Sequence, residues 1–386
     1  MRIVFVLPTV SMSGGIKVVA IYARALVERG HNVTLVSPPL RPLSLRAKVK
    51  SALLGRGWPA RRRISRSHLD GSGLDHRVLD CWRPVIDSDV PDADVVIATW
   101  WETAHWVYGL SAHKGAKTYF IQGYEIFPYV PLDRCEASYR LPMHKIVVAR
   151  WLQRVMSEMY GDDRVDVVPN SVDKTQFFAE ERSRQAVPTV GFLYSTAVPK
   201  GLDVTLKALR ELQRNIEGLR LISFGSERVT ADFPLPPGTE FHFSPPQYQI
   251  RSLYSACDVW VTASRSEGFN LPAMEAMACR TPVVATRTGW PEEAIRSGEN
   301  GILVDVGDVG SLTRGIASVL ALPELDWRRM SEAAFEATAG SSWADSIRLF
   351  ERALERAVSR TQTPSAPRTG LGVPGGENRI SREAAA

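Results

Sequence analysis

The sequence predicts an α/β protein built from two doubly wound domains. Three observations carry that prediction: short unbroken apolar runs, helical periodicity between them, and a length of 386 residues, more than a single core usually organises. In the first half the runs are Ile3 to Leu7, Val33 to Val36, Val95 to Ala98 and Thr118 to Ile121. In the second they are Val190 to Leu193, Leu219 to Phe224, Val259 to Ala263, Pro282 to Ala285 and Ile302 to Val304. Runs rich in Val and Ile that lack alternation suit strands buried on both faces of a parallel sheet. Between the first two, Val18, Val19, Ile21, Tyr22, Ala25 and Leu26 recur at helical spacing, and Gly30 stands where a helix stops. Strand, helix, strand is the repeating unit, and two separated series of it predict two domains.

The boundary is expected where VDVVPNSVDKTQFF and a polar AEERSRQA lead into a new strand. That places an amino-terminal domain over 1–168 and a carboxyl-terminal domain over 169–342. A terminal helix follows over 343–359, with Ile347, Leu349, Phe350, Ala353 and Leu354 available for burial. Residues 360–386 are rich in Pro, Gly, Ser and Thr, and are expected to stay disordered. An apolar share of 44% excludes disorder of the whole chain. No run of about 18 apolar residues is present, so no membrane-spanning helix is expected. The opening apolar stretch leads into Ser-Met-Ser-Gly-Gly and reads as a buried strand, with no signal peptide expected. Cys81, Cys135, Cys257 and Cys279 lie far apart, which disfavours a zinc site and a disulfide scaffold and fits a reducing compartment.

The most informative stretch is SEGFNLPAMEAMACRTPVVATRTGWPEEAIRSGENGILV, residues 266 to 304. Glu267 and Glu275 lie eight positions apart in it. Gly268 permits close backbone approach, while Asn270 and Pro272 mark a helix start. Glu267 then falls in the loop after a strand and Glu275 in the first helical turns. The free amides of Phe269, Asn270 and Leu271 face the same crevice, where a helix N-terminus favours an anion such as a diphosphate. Carboxylates beside it suit sugar hydroxyls, since a charged acceptor makes hydrogen bonds roughly twice as strong as a neutral one. On spacing alone, the two glutamates are equally readable as caps of that helix.

This stretch resembles the carboxyl-terminal signature of the retaining glycosyltransferases of family 4, in which two glutamates are separated by seven residues in an EGFGLPxxEAMAxGxPVVA context. Asn270 and Arg280 replace two of its glycines. PTVSMSGGIKVVAIYARALVERGHNVTLVS is similar to the family's opening, KIVVARWLQRVM with VDVVPNSVDKTQF to its interdomain segment, and RSLYSACDVWVTASRSEGF to the stretch before the glutamates. The resemblance implies the GT-B architecture, two Rossmann-like domains facing across a cleft. It also implies transfer of a sugar from a nucleotide-diphosphate donor to a hydroxyl of a glycan or lipid-linked acceptor, in cell-surface polysaccharide or glycolipid synthesis. The nucleotide sugar is a substrate, and no cofactor or metal is expected.

Site residues follow from the same resemblance. Gly14 and Gly15 form the loop approaching the donor or acceptor. Glu275 is implied for the ribose, Glu267 with the amides of Phe269, Asn270 and Leu271 for the sugar and diphosphate. Lys200, in a Lys-Gly pair, is the point charge for the leaving phosphate. Ser195 stands where the family usually has an arginine, and Gln122 where several relatives carry a histidine near the transferred sugar. Gln122 offers an amide but cannot titrate, and is equally readable as a tie for its loop. On the acceptor side, Tyr124 and Glu125 follow it, and Trp101, Glu102 and His105 in TWWETAHW form either a sugar-stacking wall or, as paired tryptophans more often do, core. The departures at Ser195 and Gln122 leave a second reading, a catalytically degenerate paralogue that binds nucleotide sugar as a partner subunit or sensor.

Charge is distributed unevenly. Nine basic residues and no acid lie between Arg41 and Arg66, against a net charge of +5 for the whole chain, so the rest is mildly acidic. Leu43, Leu45, Val49, Leu53, Leu54 and Trp58 are interspersed, the pattern of a basic amphipathic segment at an anionic membrane. A solvated loop is the alternative. Nucleic acid is not expected, because no recognition module accompanies the run. A cytoplasmic protein, peripheral on the inner face of the cytoplasmic membrane, is the location this implies. Each Lys or Arg near such a surface contributes on the order of 1 kcal/mol. Co-sedimentation with vesicles should therefore require anionic lipid and weaken with salt, and neutralising Arg61 to Arg63 should reduce it; equal binding to neutral vesicles would contradict the docking role.

Overall fold

A computed structural model describes residues 1–42, 49, 52 and 67–362. Most of the basic segment 41–66 and the chain beyond 362 lie outside the described residues. The first unit runs β1 (Arg2–Val6), α1 (Gly14–Glu28), β2 (Asn32–Ser37), β3 (Asp75–Val78), β4 (Val95–Ala98), α2 (Trp101–Gly109), β5 (Ala116–Ile121), α3 (Leu132–Arg140), β6 (His144–Val147), α4 (Arg150–Tyr160) and β7 (Asp166–Val167). The second runs β8 (Thr189–Leu193), α5 (Leu202–Asn215), β9 (Arg220–Gly225), β10 (Glu240–Phe243), α6 (Gln247–Ser255), β11 (Val259–Thr262), α7 (Leu271–Ala278), β12 (Val283–Thr286), α8 (Trp290–Ala294), β13 (Gly301–Val304), α9 (Val309–Leu320) and α10 (Glu324–Ala339). Helix α11 (Trp343–Gln362) closes the described chain.

The strands form two parallel sheets, ordered β3-β2-β1-β4-β5-β6-β7 and β10-β9-β8-β11-β12-β13. Each reverses direction beside its first strand, between β1 and β4 and between β8 and β11. In open α/β sheets the crevice outside the strand carboxyl ends at such a switch point is where ligands bind. The apolar runs behave as their composition requires: β1 and β4 pair along Ile3 to Val6 and Val95 to Ala98, all eight residues buried.

Strands β3, β6, β7 and β10 have no counterpart among the apolar runs. Strand β3 is an exposed edge with the sequence DHRV, and β10 a mixed one with EFHF. Strand β6 is central and wholly buried although it begins His144-Lys145. Its charges are carried inside by partners distant in sequence: Lys145 Nζ lies 2.5 Å from Asp162 and His144 Nε2 2.8 Å from Asp166. Such pairing is what lets a charged side chain be buried at all.

Helix α11 crosses back from the second unit to the first. Phe350 is fully buried there, stacked on Tyr22 at 4.4 Å and set against Phe120 at 5.0 Å and Phe5 at 6.2 Å. Arg356 donates twice to Asp166, and Glu351 accepts from Arg29 and His31. The helix extends past residue 359 because Arg360 reaches His144 Nδ1 at 2.9 Å and Thr361 bonds back to the Val358 carbonyl at 2.6 Å. Leu349, expected inside, points outward with 39% exposure; its neighbour Phe350 takes the core position. One contiguous apolar core joins the first sheet, α11 and the α6–α7 face of the second sheet. A second core lies on the other face of that sheet, under α5, α9 and α10. Phe350→Ala should lower the free energy of unfolding by about 3–5 kcal/mol. Leu349→Ala should change it by no more than about 0.5 kcal/mol; comparable losses in a denaturant titration would contradict this placement.

Candidate active site

The site is assembled where the carboxyl ends of β1, β5, β8 and β11 meet across the cleft. After β8 the chain makes a short turn through Lys200 and enters α5 at Gly201, whose φ is +61°. A Cβ on Gly201 would lie 1.9 Å from the Ala263 carbonyl oxygen, so only glycine lets this turn pack against the loop after β11. Arg265 ties the two together with paired bonds to Asp203 at 2.8 and 2.7 Å, and its amide donates to the Pro199 carbonyl. Lys200 Nζ is thereby held 2.7 Å from Glu267 Oε1, which also accepts from Ser264 Oγ at 2.7 Å.

Helix α7 starts at Leu271. Asn270 caps it from a left-handed conformation, φ +80°, with Oδ1 accepting from the Ala273 amide and Nδ2 donating to Thr262 at 2.9 Å. Asparagine is one of the few side chains that tolerate that conformation. The amides of Phe269, Asn270 and Leu271 donate to no group among the described residues. One turn along α7, Glu275 is buried, with Oε2 accepting from Tyr254 at 2.9 Å and Oε1 held 2.7 Å from Lys17 Nζ. Burial, then the Glu275 charge, keeps the Tyr254 hydroxyl well above the usual phenol range, so it remains a donor. The glutamates are therefore not caps: Asn270 does that work, and each carboxylate faces a lysine.

Three backbone features bring the amino-terminal unit against this loop. The Gln122 carbonyl stands where a Cβ of Gly268 would be, 1.7 Å from it. Trp151 of α4 donates Nε1–H to the Gly268 carbonyl at 2.9 Å and its amide to Glu293 at 2.8 Å. The Gln122 side chain lies over Gly15, whose Cβ would be 3.5 Å from Gln122 Nε2, while Gly14 is exposed at the start of α1. Gln122 thus lies between Gly15 of its own unit and Gly268 of the other, the residue that follows Glu267. A recess of about 20 Å³ lies by Lys200 and Glu267, and a cavity of about 640 Å³ opens beside Lys17 and Glu275.

The remaining sequence-derived residues separate into two groups. Ser195 follows β8, and its hydroxyl faces Glu227 at 3.5 Å, with Thr196 bonded to the same carboxylate. An acid therefore lies beside the position where a cation was expected. Of the acceptor-side residues, Trp101 and Glu125 turn inward. Trp101 is buried, its amide donating to Glu125 Oε2 at 2.9 Å, with the Arg134 guanidinium 5.3 Å from its ring centre. It is core and offers no stacking wall. Glu125 is 3% exposed, its carboxylate bonded to the Trp101 amide and its own amide donating to the Tyr139 hydroxyl. Tyr124 is occupied by Tyr160, hydroxyl to hydroxyl at 3.0 Å, and His105 by the Arg134 carbonyl at 2.8 Å. Glu102 faces Arg41 at 3.9 Å. Lys17, Trp151, Tyr254 and Ser264 are site residues that sequence reasoning passed over. The lysine two places after Ser-Gly-Gly was a visible signal; the others are declared only by the fold. Among the described residues no cluster of His, Cys, Asp or Glu is arranged to hold a metal ion.

Residues 173–337 match the family described as glycosyl transferases group 1. That match covers most of the carboxyl-terminal unit. The described residues have the GT-B fold: the chain superposes on sucrose-phosphate synthase from Thermosynechococcus elongatus with a TM-score of 0.68 at 14% identity, over 93% of this chain and 100% of that one. The Anabaena protein HepE in complex with UDP-glucose gives 0.68 at 16% identity, with the same coverage. In sequence, the chain is 31% identical to the D-inositol 3-phosphate glycosyltransferase of Acidothermus cellulolyticus over 212 residues, 48% of this chain and 47% of the relative. A GDP-mannose-dependent alpha-(1-6)-phosphatidylinositol monomannoside mannosyltransferase of Mycolicibacterium smegmatis is 26% identical over 51% of this chain and 56% of its own length. The chain thus spans about half the length of these curated relatives. The group 1 match begins at Asp173 and so contains Lys200, Glu267 and Glu275 but neither Lys17 nor Gln122.

Glu125 has a consequence for pH. Burial raises its carboxyl well above the ordinary 4.5, against weaker opposing bonds from the Trp101 amide and Tyr119 hydroxyl; Tyr139 and Cys135 pack near it. The native state then keeps a proton that the unfolded chain releases. Its stability contribution is complete below the unfolded value and is lost as pH rises through the native one. Between about pH 5 and about pH 8 the wild-type melting temperature should fall relative to that of Glu125→Gln; parallel profiles would contradict a neutral buried acid.

Proposed function

We propose that the chain is a retaining, metal-independent glycosyltransferase of family 4, moving a sugar from a nucleotide-diphosphate donor to a hydroxyl of a glycan or lipid-linked acceptor. The observation that carries this reading is the placement of Lys200, Glu267 and Asn270 around one recess at the start of α7, where the amides of Phe269, Asn270 and Leu271 have no partner among the described residues. A diphosphate there gains a lysine and a helix N-terminus, the two sources of positive potential that its departure as an anion requires. Glu267 accepts from sugar hydroxyls and Glu275 from those of the ribose. Gln122, over Gly15, faces the transferred sugar from the other domain. The bond from the anomeric carbon to the phosphate oxygen breaks, the acceptor oxygen bonds on the same face, and its proton passes to the departing phosphate oxygen. Lys200 and the amides supply the charge that a metal ion provides in other transferases. The work is assigned to cell-surface polysaccharide or glycolipid synthesis, at the cytoplasmic face of a membrane engaged through 41–66.

One observation favours the degenerate paralogue instead: Ser195 and Thr196 surround Glu227 where the family resemblance called for a cation. Nucleotide-sugar binding without turnover in the presence of the correct acceptor would support it.

The test is a panel of UDP-, GDP- and dTDP-sugars, including GDP-mannose, assayed for binding and hydrolysis, with inositol 3-phosphate among the acceptors because relatives are named for such compounds. Glu267→Ala and Lys200→Ala should each lower turnover by about 100-fold or more, the size of effect seen on removing one group that stabilises a developing charge. Absence of binding to every donor, with no effect of Glu267→Ala, would overturn the reading.

A further inference from the structure

The ion pair between Lys17 and Glu275 joins the two domains at the donor site. We propose that Lys17 is a positioning residue for the donor nucleotide, supplied by the opposite domain, and that it makes nucleotide binding and cleft closure one coupled event. This rests on the reading of Glu275 as the ribose ligand.

Lys17 stands in the first turn of α1, its amide bonded to the Ser13 carbonyl at 3.0 Å. Its ammonium lies 5.3 Å from the ring centre of Phe177, in the segment that links the two sheets. The side chain of Glu275 is only 8% exposed, and that of Lys17 22%. A carboxylate so enclosed is costly without a cation. Other charged groups line the same cavity, namely Arg24, Glu28, His68, Asp173 and Lys174. They do not replace Lys17: Lys174 Nζ is bonded to the Ala339 carbonyl, and Asp173 is bonded to Thr175. Burial, then the Lys17 charge, lowers the His68 pKa below its ordinary 6.5, leaving its ring neutral near neutral pH. Among the described residues Lys17 is the cation in contact with Glu275.

The bonding leaves room for a ligand. One Glu275 oxygen takes Lys17 and the other Tyr254, and a carboxylate has about four acceptor positions, so two remain for a pair of vicinal hydroxyls. Lys17 therefore aims and neutralises the carboxylate without occupying it, and offsets its repulsion of a diphosphate nearby. Because Lys17 belongs to the amino-terminal unit and Glu275 to the other, any opening that parts them leaves Glu275 unneutralised and weakens nucleotide binding. By linkage, nucleotide binding then favours closure to the same extent.

The experiment compares wild type, Lys17→Met, Lys17→Arg, Glu275→Gln and the Lys17→Met/Glu275→Gln double variant. Dissociation constants are measured for UDP, GDP and dTDP alone, steady-state kinetics with whichever donor the panel identifies, and small-angle scattering with and without the nucleotide that binds. Lys17→Met should raise nucleotide Kd and donor KM roughly ten-fold while kcat stays within about two-fold, a coupling of ordinary size. Lys17→Arg should restore most of the affinity, the double variant should be no worse than Glu275→Gln alone, and nucleotide-induced compaction should be lost in Lys17→Met. Unchanged or tighter nucleotide binding by Lys17→Met overturns the proposal, as does a Lys17→Arg as weak as Lys17→Met. If Glu275→Gln binds nucleotide as wild type does, the ribose reading falls first and this proposal with it. If Glu275→Gln weakens binding and Lys17→Met does not, this proposal alone falls.

Discussion

Gly268 has no side chain because the carbonyl of Gln122, from the other domain, fills the place a Cβ would take. That backbone contact is the constraint from which the geometry of the cleft follows. It sets the loop after β5 against the loop after β11, and Trp151 fixes the same glycine from its carbonyl side. Glu267 precedes Gly268 directly, so the contact also determines how far the carboxylate stands from Gln122 and Gly15. A larger residue at 268 would part the domains where the loop after β5 meets the loop after β11. The neighbouring glycine at 201 has the same character within one domain, since it lets the lysine turn pack on the Ala263 carbonyl.

Charge is managed around this contact by pairing. Glu267 meets Lys200 from its own domain, and Glu275 meets Lys17 from the other. The first pair lies beside a small recess and the second opens on a large cavity, so the two carboxylates differ in access as well as in partner. In the opposite direction, Glu125 is buried with neutral partners only, and burial keeps it protonated. It braces the loop that presents Gln122 to the cleft, joined through the amide of Trp101 to the start of α2. An acid next to the cleft thus serves its scaffold, while acids further along the chain face the lysines Lys200 and Lys17.

Much of this was legible in the sequence. Buried parallel strands leave a plain signal, because both faces must be apolar, and the spacing of Glu267 and Glu275 around a helix start could be read without coordinates. Strands β3 and β10 escaped because edge strands need no apolar pattern, and β6 because His144 and Lys145 look like surface residues until Asp162 and Asp166 are brought beside them. Leu349 and Phe350 are adjacent, both apolar and both within the expected stripe; only the packing against Tyr22 and Phe120 selects the second. Tryptophan 101 and Glu125 read as acceptor-side chemistry because they follow strands at the cleft edge, yet their side chains turn behind it.

What the sequence by itself determined is the architecture and the signature around the paired glutamates: two doubly wound units, a loop permitting close approach, a capped helix and a lysine turn. These are local or periodic properties, set by backbone preference and apolar patterning within a few residues. The tertiary structure alone decided which partner each charge would have, that Lys17 of the other unit would meet Glu275 while Ser195 faces Glu227, and that Glu125 would be a buried brace. Such pairings join residues up to 322 positions apart. Their strength depends on exclusion of water, a property of the folded whole that no local run of sequence records.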